Sequence, residues 1–222
     1  MRSYRFDVVI IGAGPAGVTA AGVLAGTGIS VALIEAGVHA GAENWSGCVY
    51  FAESLAEPDC FGPAAVSSAP YERQVTVRGT LIHNGLDEIG VSLRDPAVFR
   101  NCYTVLRPVY DPYFAALAES KGAVLLTGTT VTSLIRKNGR VAGVQTDRGP
   151  LHAGVVFIAE GDASHLVAAE GLERKPNPHF LQGVKAVVNL PPGTIEQRFG
   201  LAQGEGAAYE ILIRNASIAG RT

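Results

Sequence analysis

The glycine-rich run DVVIIGAGPAGVTAA, at residues 7–21, constrains the fold of this chain more than any other feature. Its apolar beginning, over residues 6–11, is typical of a buried strand, and residues 14–25 have the pattern of a helix that ends at Gly26. The run SVALIE at 30–35 predicts a second buried strand. Two buried strands that flank a helix indicate a parallel sheet.

Three glycines in this run, Gly12, Gly14 and Gly17, form the pattern GxGxxG. The pattern alone is weak evidence, but here it lies between a predicted strand and a predicted helix, as dinucleotide binding requires. Gly12 permits a tight turn, Gly14 lets the backbone approach a pyrophosphate, and Gly17 allows the helix to pack closely on the sheet. The first turn of the helix, which begins with Pro15 and Ala16, offers free backbone N–H groups from Ala16 onward and a partial positive charge to phosphates.

Glu35 closes the second predicted strand, and Ala36 follows it. A carboxylate at this point can accept hydrogen bonds from both ribose hydroxyls, and it disfavours a 2′-phosphate. The residues therefore predict a nucleotide site. They do not separate FAD from NAD, because both ligands carry adenosine and a pyrophosphate.

The middle of the chain predicts a long structured loop, a strand pair and a second helix. Residues 36–70 are rich in Gly, Ala, Ser and Pro, and loops of that length are usually functional. Residues 72–93 alternate as an antiparallel pair does. Asp111 is a good N-cap, and Pro112 suits the first position of a helix whose apolar face lies at 113–121.

Short strands and tight turns are expected in the second half of the chain. The dipeptide Asn138-Gly139 between two apolar runs is a strong hairpin signal, which predicts a β-meander. The expected strands lie at 123–127, 129–136, 140–146, from the turn at 147–149 to about Ala159, at 183–190 and at 207–213, with a short helix at 193–199.

The composition excludes several classes of protein. Apolar residues make up 47% of the chain and charged residues 17%, so a packed core is expected. A net charge of -2 with no basic stripe argues against a nucleic-acid partner. Three cysteines, Cys48, Cys60 and Cys102, are too few for an iron–sulfur cluster and fit a reducing cytoplasm. No segment reaches the ~18 consecutive apolar residues of a transmembrane helix, and the histidines show no metal-ligand spacing.

The GAGPAG motif, with an acidic residue after the second strand, resembles the FAD-dependent oxidoreductases of the para-hydroxybenzoate-hydroxylase type. Two later segments extend the resemblance, YTVLRPVYDPYFAALAESKGA at 103–123 and VVFIAEGDAS at 155–164. Within that class, NWSGCVYFAESL at 44–55, YERQVTV at 71–77 and the stretch at 179–209 resemble FixC and the electron-transfer flavoprotein:quinone oxidoreductases. The resemblance covers nearly the whole chain.

The resemblance implies an α/β fold in two parts. One is a Rossmann-like FAD-binding domain with a parallel sheet and a β-meander, expected over 1–65 and 96–178. The other is a partial antiparallel-sheet second domain, expected over 66–95 and 179–222. Members of the class return to the FAD domain late in the chain with a Gly-Asp segment, and nothing after Gly161 supplies it. The chain is therefore expected to be a fragment.

The resemblance also implies which residues bind FAD. Arg107 is expected near the cofactor, with an ordinary surface arginine as the alternative. Ser46 and Gly47 belong to a loop along the flavin or to a simple turn, and Glu160-Gly161 stands where the class has Asp-Gly. The expected cofactor-binding residues are Gly12, Gly14, Pro15, Ala16, Gly17, Glu35, Ala36, Ser46, Gly47, Arg107, Val131, Glu160 and Gly161. No catalytic residue and no metal ligand is predicted.

The activity that the resemblance implies is electron transfer from an electron-transfer flavoprotein to a quinone or similar acceptor. The expected location is the cytoplasm, with peripheral contact at the inner face of the membrane through parts absent from this chain. Two alternatives stay open. One is a prenyl-lipid reductase of the geranylgeranyl type, in which a cysteine lies near the position of Cys48. The other is an incomplete, inactive FAD domain.

Overall fold

A computed structural model describes residues 4–44, 47–161, 165–172 and 184–213. The chain divides into two compact units. Unit 1 comprises residues 1–46, 53–70 and 107–185, and unit 2 comprises residues 47–52, 71–106 and 186–222.

The elements follow one another in chain order. The strands are β1 (Tyr4–Ile11), β2 (Val31–Ile34), β3 (Gly47–Phe51), β4 (Arg73–His83), β5 (Glu88–Arg94), β6 (Cys102–Leu106), β7 (Val124–Leu126), β8 (Val131–Lys137), β9 (Arg140–Thr146), β10 (Gly149–Ile158) and β11 (Glu205–Ile213). The helices are α1 (Pro15–Ala25), α2 (Pro63–Ser67), α3 (Arg107–Ser120), α4 (His165–Ala169) and α5 (Pro192–Phe199).

Unit 1 contains a six-stranded sheet in the order β7-β2-β1-β10-β9-β8. The first four strands are parallel, and β10, β9 and β8 form an antiparallel meander. Val9, Ile10 and Leu33 are fully buried, because these strands have apolar residues on both faces of the sheet. The predicted parallel sheet and meander are confirmed. The meander turns at Asn138 and Gly139, whose φ values of 52° and 76° suit a tight hairpin turn.

Helix α1 packs against α3 through small residues. A Cβ atom at Gly22 would lie 2.5 Å from the ring of Phe61, so the absence of a side chain there lets that ring approach α1. Phe61 in turn contacts Phe114 of α3, with ring centroids 5.2 Å apart. Phe114 and Tyr110 are buried and lie on the face of α3 that packs into unit 1.

The start of α3 differs from the prediction. The helix begins at Arg107 rather than after Asp111, and Pro112 lies inside it. A proline there removes one backbone hydrogen bond. The burial of Tyr110 and Phe114 on either side of Pro112 offsets that loss, so the apolar face extends further back than the proline suggests. Asp111 is not a cap, because its carboxylate binds Arg107.

Unit 2 contains a sheet in the order β11-β4-β6-β3, with β5 paired to β4. The predicted antiparallel pair at 72–93 is confirmed as β4 and β5. Residues 47–52 and 96–106, which the sequence assigns to the first domain, fall in unit 2. They do so because β3 pairs with β6 and β6 pairs with β4.

One predicted strand is wrong. Over 184–190, the described part of the predicted strand at 183–190, the backbone forms no strand. The run is apolar and β-branched, but Val184, Val187 and Val188 are 96%, 61% and 74% exposed. β-propensity measures how well a side chain packs beside neighbouring strands, and no described strand pairs with this segment.

Candidate functional site

The carboxyl ends of three parallel strands meet at one edge of the unit 1 sheet. Ile11 pairs with Ile34 on one side and with Ile158 on the other, so β1, β2 and β10 end level with one another. The residues that follow these strands therefore lie together. Open α/β sheets bind ligands at this edge.

Gly12 and Gly17 shape the turn after β1. Gly12 has a φ of +99°, and a Cβ atom there would lie 2.4 Å from the Ala159 carbonyl oxygen. A Cβ atom at Gly17 would lie 1.8 Å from the Gly12 carbonyl oxygen. Both positions require glycine, because the backbone at Ala159, just after β10, and the backbone of the turn leave no room for a side chain.

Gly14 has a different environment. It precedes α1 with extended backbone and no side-chain cap, and Pro15 follows at the first helical position. Among the described residues, a Cβ atom at Gly14 would meet one atom within 4 Å, the Nη2 atom of Arg107 at 3.7 Å. Space therefore remains in front of the α1 N-terminus, where the N–H groups of the first turn, at Ala16 and Gly17, have no intrahelical partner. An open space beside N–H groups and a guanidinium fits a pyrophosphate.

Glu35 is tied to the backbone of the glycine-rich turn. Its Oε2 atom accepts a hydrogen bond from the Ala13 N–H at 2.9 Å, and its Oε1 atom accepts one from the Gly37 N–H at 2.8 Å. A carboxylate has about four acceptor positions, so ribose hydroxyls can still be accommodated. Ala36, the next residue, has an exposed side chain. The bond to Ala13 is a feature that sequence patterns did not reveal.

Arg107 lies beside the glycine-rich turn. Its Nε and Nη2 atoms donate to Asp111 Oδ1 and Oδ2, both at 2.6 Å. Gly41, with a φ of +75°, brings the loop after β2 onto this pair, since a Cβ atom there would lie 3.0 Å from Asp111 Oδ2. The pairing shows that Asp111 binds Arg107 within α3 and does not cap the helix.

Glu160 and Gly161 follow β10 at the same edge. The Glu160 carboxylate accepts a hydrogen bond from the Leu166 N–H at 3.1 Å, which connects it to α4. Gly161 has a φ of +78°, and a Cβ atom there would meet no atom of the described residues within 4 Å. Val131 begins β8 and packs its side chain against the core that contains Val9, so it faces the protein interior.

The remaining predicted positions do not belong to the described residues of unit 1. Ser46 is outside the described residues, and Gly47 and Cys48 begin β3 in unit 2. Cys60 and Cys102 are buried, and this burial raises the pKa of both thiols, which suits small core side chains rather than nucleophiles.

Among the described residues, no group of three or more His, Cys, Asp or Glu side chains could hold a metal ion. In the same part of the chain, no helix combines the length and the apolar character needed to cross a bilayer.

Two curated relatives illustrate what the sequence matches. A probable electron transfer flavoprotein-quinone oxidoreductase, YdiS of Escherichia coli K12, is 36% identical over 213 residues, which cover 94% of this chain and 49% of that protein. Protein FixC of Salmonella typhi is 38% identical over 212 residues, with the same coverage. The chain thus spans about half the length of the curated relatives it matches.

Solved structures share the fold. A geranylgeranyl bacteriochlorophyll reductase-like protein of Thermoplasma acidophilum superposes with a TM-score of 0.63 at 26% identity, over 78% of this chain and 43% of that one. The myxobacterial FAD-dependent halogenase CndH superposes with a TM-score of 0.58 at 20% identity, over 75% and 39% of the two chains. These similarities confirm the predicted Rossmann-like fold.

A family model connects the fold with the site. The model for pyridine nucleotide-disulphide oxidoreductases matches residues 6–190, a span that contains the glycine-rich turn, Glu35 and Arg107. Together with the relatives, this match confirms the predicted FAD-dependent oxidoreductase class and FAD as its cofactor. The chain belongs to the pyridine nucleotide-disulphide oxidoreductase family.

Proposed function

We propose that this chain is the FAD-binding portion of an oxidoreductase that takes electrons from an electron-transfer flavoprotein and passes them to a quinone or similar acceptor. The observation that carries the proposal is the edge of the unit 1 sheet, where the Arg107 guanidinium lies beside Gly14 and the Glu35 carboxylate bonds to the neighbouring Ala13. The names of relatives that match 94% of the chain supply the donor and the acceptor.

Different residues at this edge bind different parts of FAD. The first turn of α1 and the Arg107 guanidinium hold the pyrophosphate, since N–H groups and a cation both favour phosphate oxygens. Glu35 accepts hydrogen bonds from the ribose hydroxyls, and Glu160-Gly161 lies at the same edge. When it is bound, FAD supplies the redox chemistry, and the protein orients it and excludes water.

The reaction balances without any further reagent. The reduced donor flavoprotein gives up two electrons and two protons. The quinone takes up the same two electrons and two protons and becomes a quinol. A quinone acceptor resides in a membrane, so the proposal includes peripheral contact of the cytoplasmic protein with the inner membrane face.

A second candidate is a prenyl-lipid reductase of the geranylgeranyl type. One observation favours it, the TM-score of 0.63 against the geranylgeranyl bacteriochlorophyll reductase-like protein. In this case electrons would enter a carbon–carbon double bond of the lipid rather than a quinone. The two candidates share the same FAD site and differ in the acceptor.

The first experiment tests the cofactor site through Glu35. The Glu35→Ala variant loses the two backbone contacts and the ribose contacts, and hydrogen bonds to charged groups contribute about 1.5–3 kcal/mol each. We expect the FAD affinity to fall roughly tenfold or more, as measured by quenching of flavin fluorescence. Wild-type affinity in Glu35→Ala would remove this residue from the site.

The second experiment separates the candidate activities. The full-length protein, reconstituted with FAD, is given a reduced electron-transfer flavoprotein and either a water-soluble quinone or a geranylgeranyl substrate. Quinol formation supports the proposal, and reduction of the prenyl chain supports the second candidate. A protein that retains flavin but reduces neither acceptor contradicts both activities.

A further inference from the structure

The Arg107–Asp111 pair is more deeply buried than the other ion pairs of the described residues. The Asp111 side chain is 2% exposed and that of Arg107 is 13% exposed, whereas the cations of the Arg94–Glu205 and Arg136–Glu170 pairs are 46% and 50% exposed. Both carboxylate oxygens of Asp111 accept hydrogen bonds from the guanidinium. This two-point contact fixes the plane of the guanidinium as well as its position.

The burial of Asp111 has an identifiable source. Gly41 adopts a φ of +75°, and its Cα lies so close that a Cβ atom would be 2.8 Å from the Arg107 carbonyl oxygen and 2.9 Å from Asp111 Cβ. The backbone of the loop after β2 therefore covers the pair on that side. A carboxylate removed from water in this way is stable only while it keeps its cationic partner.

The Arg107–Asp111 pair also fixes the place where the guanidinium lies. The Arg107 Nη2 atom would be 3.7 Å from a Cβ atom at Gly14, at the start of α1. The N-terminus of α1 carries a partial positive charge, which repels a guanidinium. Asp111 offsets this repulsion and keeps the cation beside the open space at Gly14, a place that an unrestrained arginine would leave for solvent.

From this geometry we infer that Asp111 is a positioning residue for dinucleotide binding: it holds the Arg107 guanidinium at Gly14, where it contacts the pyrophosphate. The inference rests on the proposed function, because it assumes that a dinucleotide occupies this edge of the sheet. It adds that the affinity for phosphate depends on a residue that itself contacts no ligand.

The test compares two ligands, ADP and adenosine, in titration calorimetry with the full chain. Asp111→Asn keeps the size of the side chain and removes its charge. We expect it to weaken ADP binding about tenfold and to leave adenosine binding unchanged, because only ADP carries the pyrophosphate. A purely structural role for Asp111 would change both affinities together or neither.

Two further variants make the result specific. Asp111→Glu keeps a carboxylate within reach of the guanidinium and should recover most of the ADP affinity. In an Arg107→Met background, Asp111→Asn should weaken ADP binding no further, because the group that it positions is already absent. Asp7→Asn is the matched control, since Asp7 lies within β1 before Gly12 and binds Ser30 just before β2, and it should leave ADP binding at the wild-type value.

The possible outcomes are distinct. If wild-type protein binds ADP and Asp111→Asn binds it equally well, the inference is overturned and the proposed function stands. If the wild-type protein binds neither ADP nor FAD, both are overturned. Should Asp111→Asn not fold, Arg107→Lys carries the same test, because lysine keeps the charge but cannot make the two-point contact. Wild-type ADP affinity in Arg107→Lys would then overturn the inference.

Discussion

The two sheets of this protein have strands of similar apolar content but differ in how these strands are covered. In unit 1, Val9 and Leu33 are 0% exposed. In unit 2, every residue of β5 is exposed, and Ile89 and Val91 are 70% and 75% exposed. Both sheets contain β-branched runs, so the difference lies in what packs on them rather than in strand propensity.

Three exposed apolar residues of unit 2 lie on the same face of its sheet. Ile82 of β4 pairs with Ile89 of β5 and with Leu212 of β11, so the three side chains project from the same face of the sheet. All three are more than half exposed. The comparison teaches that the central strands of unit 1 are buried, whereas in the described part of unit 2 the strand β5 is exposed along its whole length.

The largest effect is expected where unit 1 is most tightly packed. A Cβ atom at Gly17 would lie 1.8 Å from the Gly12 carbonyl oxygen, which belongs to the backbone and cannot move aside cheaply. We expect Gly17→Ala to lower the free energy of unfolding by about 3–5 kcal/mol in urea denaturation. The matched control is Gly26→Ala at the end of the same helix, where a Cβ atom would meet nothing within 4 Å. Equal stability of the two variants would contradict the close packing at Gly17.

The next effect falls on the ligand rather than on the fold. Gly14 has room for a side chain in the protein itself, since its nearest neighbour would be 3.7 Å away, but that room is the space assigned to the pyrophosphate. We expect Gly14→Val to weaken FAD binding about 100-fold or more while the circular dichroism spectrum stays native. Retained flavin in a natively folded Gly14→Val protein would show that the pyrophosphate binds elsewhere.

The glycine-rich turn, which contains Gly14 and Gly17, shows which features could be predicted from the sequence. The strand–turn–helix pattern correctly predicted β1, the glycine-rich turn, α1 and β2, because each of its signals is local: an apolar run, a glycine spacing and a terminal carboxylate. Asp111 was misassigned for the same reason. An aspartate before a proline is a local cap signal, whereas its pairing with Arg107 depends on a helix that begins earlier and on the loop at Gly41.

Two strands of unit 2 were also missed. The segments of β3 and β6 are short, and their pairing joins residues 47–51 to residues 102–106. Sequence patterns do not indicate which strands pair when the strands lie so far apart along the chain. The opposite error occurred at 184–190, where an apolar run has no strand beside it among the described elements. Elements that rely on distant partners are the ones that sequence reasoning misplaced.

A smaller effect concerns the acid sensitivity of unit 2. The Ala202 N–H and the Arg94 guanidinium, both bonded to the Glu205 carboxylate, hold the pKa of Glu205 below its ordinary value of 4.5. A lowered folded-state pKa gives stability that is present above pH 4.5 and is lost as the pH falls through the lowered value. We therefore expect the protection of β11 amides from hydrogen exchange to fall in this acidic range.

The Glu205→Gln variant checks the source of this dependence. It should flatten the loss of β11 protection below pH 4.5 and leave the protection of β1 unchanged over the same range. An unaltered pH profile at β11 would show that another group controls the acid sensitivity of this sheet.

The smallest expected effect tests the comparison between the sheets directly, by making one substitution in both. Val9 is 0% exposed and Val91 is 75% exposed, and each lies in a strand. In Val9→Thr a hydroxyl is buried in an apolar core, which costs about 1–3 kcal/mol of unfolding free energy. In Val91→Thr the hydroxyl reaches water and β-propensity is kept, so the change should stay within about 0.5 kcal/mol. Urea denaturation of the full chain measures both variants. Equal losses would mean that the β5 face is covered in solution, and the difference between a closed and an open sheet would then disappear.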